Sequence, residues 1–265
     1  MSSSGYKNII LSHSESDRGQ QFTTLTMNRP DRRNALSLEH MLEFIDALQS
    51  TARTEAAGII IAGNGPVFSA GHDFADMAGA DLGFMRELLT TCAELMQLIQ
   101  TVPQVVIARV HGLATAAGCQ LVASADLAVA AESSGFAAPG GKGGWFCHTP
   151  MVAIGRTVGR KQALEMSLTG DTIDAATALQ WGLINRVVPD DGLHDATQDL
   201  LNRATRGSRF SKALGKQTFN AQIQLELPAA YRYATEVMAA SSQTADAQEG
   251  MASFLEKRRP EWQNR

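Results

Sequence analysis

Two stretches of small residues hold the chemical potential of this chain. GNGPVFSAGHDFADM follows a short buried apolar run at 58–62 and carries His72 and Asp73, and VHGLATAAGCQLVASAD follows the β-branched run 105–110. Each is built largely from glycine and alanine, which lets the polar atom of a ligand come against the main chain. One loop can present a backbone N–H near Gly71-His72, the other near Ala117-Gly118. The first N–H groups of the helix that opens at Ala117 have no acceptor within that helix. Two such donors aimed at one point form an oxyanion hole, which stabilises an enolate or a tetrahedral anion. Losing one donor typically costs about 3 to 4 kcal/mol. Convergence of the two loops is a tertiary matter.

The elements around these loops follow from hydrophobic periodicity. Residues 105–131 read as strand, tight turn, short buried helix over 117–125, and strand from Leu127. Upstream, 7–11 and 22–27 read as strands either side of a polar turn at 14–19. Ser37 is placed to N-cap a helix with Met41, Phe44, Ile45 and Leu48 on one face. A second amphipathic helix holds Leu88, Leu95 and Ile99 and stops before Pro103. Downstream comes a glycine-dense segment, 135–144, then Trp145-Phe-Cys-His148-Thr-Pro150. Helical patterns follow at 161–168, 175–181, 193–204, 212–222, 229–240 and 245–257. The pattern is α/β followed by an all-α tail, divided into a core of 1–190 and a helical subdomain of 191–265.

Composition bounds the function. With 265 residues, 44% hydrophobic and 19% charged, the chain has the make-up of an ordinary soluble protein. Its 23 Lys and Arg against 27 Asp and Glu, a net charge of -4, give no global attraction to nucleic acid or an anionic membrane. No stretch approaches the roughly 18 apolar residues of a membrane-spanning helix. The first residues lack the apolar core of a secretory signal and the arginine content of a transit peptide, so a cytoplasmic location is expected. Cys92, Cys119 and Cys147 lie far apart without C-x-x-C spacing, which predicts reduced thiols and no metal site.

Five ordered blocks carry a resemblance: NRPDRRNALS, GNGPVFSAGHDFADM, VHGLATAAGCQLVASAD, LTGDTIDAATALQWGLINRVVP and EGMASFLEKRRPEW. In order and spacing they resemble the crotonase, or enoyl-CoA hydratase/isomerase, superfamily over nearly the whole chain. ATAAGCQLVAS and FCHTP are similar to its enoyl-CoA hydratase domain-containing branch. The resemblance implies a crotonase-like α/β spiral of ββα units with a C-terminal helical trimerisation region, assembled as a homotrimer or hexamer. It implies an acyl-CoA thioester as substrate, with coenzyme A entering as part of that substrate and no separate cofactor. Matched by position, the thioester oxygen would meet the amides of His72 and Ala117. The substrate would be wrapped by residues matching Arg33, Ala35, Ala70, Asp73, Phe74 and Leu113, and Lys257 would reach the phosphates.

The departures from the family pattern are chemical. Where its hydratases carry two glutamates, this chain has Gln120 and Gly140. The Gln120 amide can orient a water but cannot take its proton, and Gly140 has no side chain. Positioned acid/base groups contribute about 10²- to 10⁴-fold each, so water addition by the usual route is not expected to be efficient. Eight residues past Gly140, at a position where some members place a carboxylate, stands His148. Its imidazole titrates near neutrality and could abstract an α-proton, or protonate an enolate formed by isomerisation or decarboxylation. The other reading is a histidine hydrogen-bonded in the turn before Pro150. Trp145 could line an acyl pocket or simply pack, and Lys142 could bring an ammonium near the site or remain a solvated loop lysine. Two functions stay open: an enzyme acting through an enolate, and a catalytically silent acyl-CoA binding protein.

Overall fold

The computed structural model describes residues 5–16 and 19–265. Its strands are β1 (Ile9–Glu15), β2 (Gln21–Met27), β3 (Gly58–Gly63), β4 (Val105–Val110), β5 (Leu113–Thr115), β6 (Leu127–Ala131), β7 (Gly135–Ala137), β8 (Ile173–Asp174) and β9 (Arg186–Val188). Its helices are α1 (Leu38–Ala52), α2 (Phe74–Met77), α3 (Leu82–Thr101), α4 (Ala117–Ser124), α5 (Pro150–Thr157), α6 (Arg160–Thr169), α7 (Ala175–Trp181), α8 (Leu193–Ala204), α9 (Arg209–Gln222), α10 (Leu227–Ser241) and α11 (Ala245–Leu255).

The strands form two sheets, ordered β1-β2-β3-β4-β6-β9 and β5-β7-β8. In the larger sheet β1 is antiparallel to β2 and the remaining pairings are parallel. The chain repeats one step: a strand in the large sheet, an extended contact with the small sheet, then a helix. After β4 and β6 the second contact is a full strand, β5 or β7. After β2 and β3 it shrinks to single bridges, Leu36 with His72 and Ser69 with Ala114. This is the spiral of ββα units that the sequence implies.

Strand periodicity sorts the core into two layers. Ile59 and Ile61 of β3, with Val106, Ala108 and Val110 of β4, face a cluster that includes Met41, Phe44 and Leu48 of α1 and Leu88, Leu95 and Ile99 of α3. Ile60 and Ile107 face the other way, onto Leu193 and Leu201 of α8. Both faces are therefore dry, as in a parallel sheet covered on each side. Ser37 caps α1 as its sequence suggests, accepting from the His40 N–H at 3.2 Å.

Several expectations need correction. The first strand is not 7–11 but Ile9–Glu15, because it is an edge strand held by its pairing with β2 while most of its residues lie exposed. The polar turn expected over 14–19 overlaps this strand at its start, and Asp17 and Arg18 lie outside the described residues. The turn after Val110 contains β5, three residues too few to show a period. Helix α5 begins at Pro150, ahead of the helical patterns read from 161 onward, with proline at a position where its missing N–H costs nothing.

Candidate active site

The two small-residue loops converge because they occupy neighbouring rungs of the small sheet. Leu36 N–H donates to Gly71 O at 2.7 Å and Asp73 N–H to Leu36 O at 3.1 Å, flanking His72 and turning its own N–H away from that partner. Ser69 N–H donates to Leu113 O at 3.1 Å, and Thr115 N–H to Ser69 O at 2.9 Å. These bonds bring Gly71 against the start of α4. Gly71 sits at φ +86°, and a Cβ there would lie 2.9 Å from Thr115 O and 3.2 Å from the Ala117 nitrogen. Only glycine fits that gap. Among the described residues, neither the His72 nor the Ala117 N–H has a protein acceptor.

Ala116, immediately before α4, has φ 48° and ψ -117°, a conformation that costs an L-residue about 1 to 3 kcal/mol. Its N–H is anchored to Ala137 O at 2.9 Å. The resulting ψ orients the Ala116–Ala117 peptide and with it the Ala117 N–H, at the positive end of the α4 dipole.

Beside these amides lies a cavity of about 560 Å³. Ala70, His72, Thr115 and Ala116 line the end where the amides lie, Phe74 and Leu89 come from α2 and α3, and the segment 139–150 supplies the rest. In that segment Gly140, Lys142, Trp145, Phe146, Cys147 and His148 face the cavity, and no Asp or Glu lines it. Gly140 is required sterically: a Cβ would stand 2.2 Å from Trp145 O and 2.8 Å from Cys147 Sγ. Its carbonyl also accepts from Trp145 N–H at 2.8 Å, so the loop closes tightly around it.

His148 is exposed, with its ring tilted against Phe146 at a centroid distance of 5.1 Å. Its backbone N–H bonds Phe146 O at 2.8 Å, and among the described residues its ring meets Phe146 and no hydrogen-bond partner. Trp145 is 45% exposed at the cavity wall. Lys142 Nζ lies 3.2 Å from Asp171 Oδ1 with both side chains largely in solvent, a pair of little strength. The Cys147 thiol is buried beside the cavity, and burial raises its pKa, so it rests as a thiol. The His72 ring is buried, and burial lowers its pKa against a smaller opposing effect of the Leu36 backbone.

The remaining sequence candidates fall in different places. Gln120 is 4% exposed on α4, with Cys92 Sγ 3.8 Å from its Oε1, and is not part of the cavity wall. Asp73 is occupied structurally: its carboxylate takes Arg29 and Arg32, each at 3.0 Å, and caps α2 through the Ala75 N–H. Burial opposes its charge, but Arg32, the Ala75 amide and Arg29 outweigh that and hold its pKa low. Ala35, also buried, accepts from Arg29 Nη1 at 2.6 Å. Arg33 is exposed, its carbonyl taking the Ala70 N–H at 3.0 Å. Leu113 lies in β5 beside Gly135, while Phe74 is 72% exposed at the cavity. Lys257 is exposed just after α11, away from the cavity wall. Leu89 and Phe146 were not singled out by sequence, since a core-helix leucine carries no distinguishing signal. Arg29, which ties Asp73 to Ala35, lies in the NRPDRR block but only the fold shows its reach.

A spiral of ββα units here carries two amides without protein acceptors beside a largely apolar cavity. The chain matches the family model for enoyl-CoA hydratase/isomerase over residues 17–265, and it belongs to that family. It is 48% identical over 243 residues to enoyl-CoA hydratase domain-containing protein 3, mitochondrial, of Danio rerio, covering 91% of this chain and 84% of that protein. The crystal structure of human enoyl Coenzyme A hydratase domain-containing protein 3 superposes with a TM-score of 0.89 at 40% identity, covering 95% of this chain and 99% of the other. That of a Mycobacterium smegmatis enoyl-CoA hydratase gives 0.90 at 42%, covering 95% and 98%. The cytoplasmic expectation is overturned by the relatives: those from Danio rerio, Rattus norvegicus and Homo sapiens are all named as mitochondrial. The physical reason is that compartment is an address read by receptors and is not set by the composition of the folded domain.

Proposed function

We propose that the protein binds an acyl-CoA thioester with the carbonyl oxygen between the amides of His72 and Ala117, and stabilises an enolate there. The observation that carries this reading is the pair of amides without protein acceptors, brought together across Gly71 at one end of the cavity. Negative charge developing on the oxygen gains two fixed donors and the α4 dipole without any reorganisation. The acyl group lies along Phe74, Leu89, Trp145 and Phe146, with His148 as the exchangeable proton carrier near the reacting carbons. Hydratase chemistry is not the favoured reaction, since Gly140 leaves no carboxylate and Gln120 is packed against Cys92.

Replacing Ala117 by its α-hydroxy acid, an amide-to-ester exchange, tests the reading. The ester removes the N–H and keeps the backbone geometry, so the fold is expected to survive while turnover falls about 10²- to 10³-fold. Saturation binding of a saturated acyl-CoA, with thermal melting as the control, measures the same loss on the ground state. Unchanged binding and turnover in a folded variant would exclude the oxyanion role.

A second reading, a silent acyl-CoA binding protein, is favoured by the steric lock on Gly140. A panel of enoyl, branched and malonyl-type thioesters separates the two, because the binder holds them without converting any. The assembly proposed is a homotrimer or hexamer formed through the C-terminal helices. Supporting it are Tyr231 and Met238 of α10 and Phe254 and Leu255 of α11, which are 68%, 78%, 82% and 78% exposed.

A further inference from the structure

A second hollow, of about 690 Å³, lies between α9, α10 and α11. That is the size of a small-molecule site. No residue of its wall lines the cavity beside α4, so the two are separate places in the molecule. Its lining positions on α9 run from Ser208 to Gln222, which span about 21 Å along the helix. The hollow is long, and its two ends differ. Arg206, Ser208, Ser211 and Lys212 stand at one end. The start of α11 is held there by Asn264, which accepts from the Arg209 N–H and donates to Asp246, each at 3.0 Å. Phe219, Ala234, Val237 and Met238 form the other, apolar end.

The charges at the polar end do not cancel. Arg209 and Lys216 of the same helix are committed to Glu55 and Asp126, whereas Arg206 and Lys212 are exposed and hold no acid among the described residues. The acid in the wall, Asp246, is 3% exposed and accepts from the Gln263 and Asn264 N–H groups. The field at this end is positive. Gly215 is an independent sign. It stands in the interior of α9, where glycine weakens a helix relative to alanine, and it faces the hollow between the polar and apolar ends. Among the described residues nothing lies within 4 Å of a Cβ built there, so the packing of the chain itself does not require glycine. We infer that the hollow takes a long-chain fatty acid, its carboxylate at Arg206 and Lys212 and its hydrocarbon passing Gly215 to reach Phe219, Val237 and Met238. Burial of the methylenes supplies affinity, and the two cations fix the direction of the chain. Met238, at the rim, also belongs to the assembly face proposed above, so occupancy and assembly are measured together.

The test uses the full chain with palmitate as probe and hexadecanol as its uncharged counterpart, each measured by equilibrium dialysis below the concentration at which it aggregates. The expected outcome is one palmitate per chain, with hexadecanol bound at least tenfold more weakly and butyryl-CoA unable to displace either. Arg206→Glu combined with Lys212→Glu is expected to weaken palmitate about tenfold or more and to leave hexadecanol unchanged, which separates charge from packing. Gly215→Leu fills the hollow and is expected to weaken both ligands about tenfold or more, while Gly215→Ala, which adds one methyl, retains them. Thermal melts establish that the variants fold, and light scattering follows their assembly. Absence of palmitate binding overturns the inference. So does binding that the Gly215→Leu and charge-reversal variants leave unchanged, or that butyryl-CoA displaces, because the ligand then lies elsewhere. A Gly215→Leu variant that changes the oligomer, in a protein that binds no palmitate, assigns the hollow to a second copy of the chain and overturns it equally.

Discussion

Gly140 and Gly71 show how single positions set the chemistry. Restoring the missing acids with Gln120→Glu and Gly140→Glu is not expected to create a hydratase. A side chain at 140 collides with the Trp145 carbonyl, itself part of the loop that forms the cavity wall. The expected outcome is a loss of about 1 to 3 kcal/mol in denaturant unfolding, with no consumption of crotonyl-CoA. Gly71→Ala drives a methyl between the two loops, where it meets Ala116, Thr115 and the Ala117 nitrogen. Acyl-CoA affinity is expected to fall at least tenfold, and unfolding free energy by about 1 to 3 kcal/mol from left-handed strain and overpacking together. Calorimetric titration and urea unfolding check the two effects separately.

At the scale of elements, the helical C-terminal region is tied to the sheet by one buried charge. Lys216 of α9 places its Nζ 2.8 Å from Asp126 Oδ2 and donates to the carbonyls of Ile99 and Gln104, at the end of α3 and the start of β4. Burial lowers the lysine pKa and raises that of the aspartate, and their mutual attraction with these bonds opposes both shifts. Lys216→Met strands a buried carboxylate and frees the carbonyls, so stability is expected to drop by about 3 to 5 kcal/mol. Adding Asp126→Asn removes the stranded charge and should recover a large part of that loss, which urea unfolding of the single and double variants measures. The same helix, α3, also contributes Leu89 to the cavity, so the anchor and the site wall share one element.

For the whole molecule, acid sensitivity follows from His40. Its ring is wholly buried with Nε2 unpartnered; burial outweighs the Ala35 carbonyl at Nδ1 and brings its pKa down to about 4. The folded value lies below that of the unfolded chain, so the unfolded state takes the proton first. Stability is therefore full above about pH 6.5 and declines as pH falls toward 4, by roughly 3 kcal/mol at the lower limit. Asp73 works in a lower window, its stabilising charge present above its unfolded pKa and lost as pH falls through its depressed folded value. Urea midpoints between pH 7.5 and 4.5 should fall in the wild type and flatten in His40→Gln. The C-terminal helices act at this scale too, enclosing a hollow of about 690 Å³ between α9, α10 and α11. If they self-associate as proposed, light scattering should report a trimer or hexamer, and Phe254→Glu with Met238→Glu should shift it toward monomer.

The sequence by itself determined the elements whose stability is local or strongly periodic. Ser37 marked α1, the run 105–110 marked β4, and Leu193–Ala204 was legible residue for residue as α8. It also marked the absence of glutamates at 120 and 140, because a side chain is present or missing whatever the fold. Short strands such as β5 and β7 escaped, since they persist through pairing rather than through a pattern of their own. Only the tertiary structure decided that Gly71, next to His72, lies against the Ala117 nitrogen, since parallel bridges join residues tens of positions apart. It also decided that Asp73 is engaged by Arg29 and Arg32, and that Gly140 is sterically locked. Those are facts about neighbours, and sequence spacing does not encode which neighbours a loop will meet.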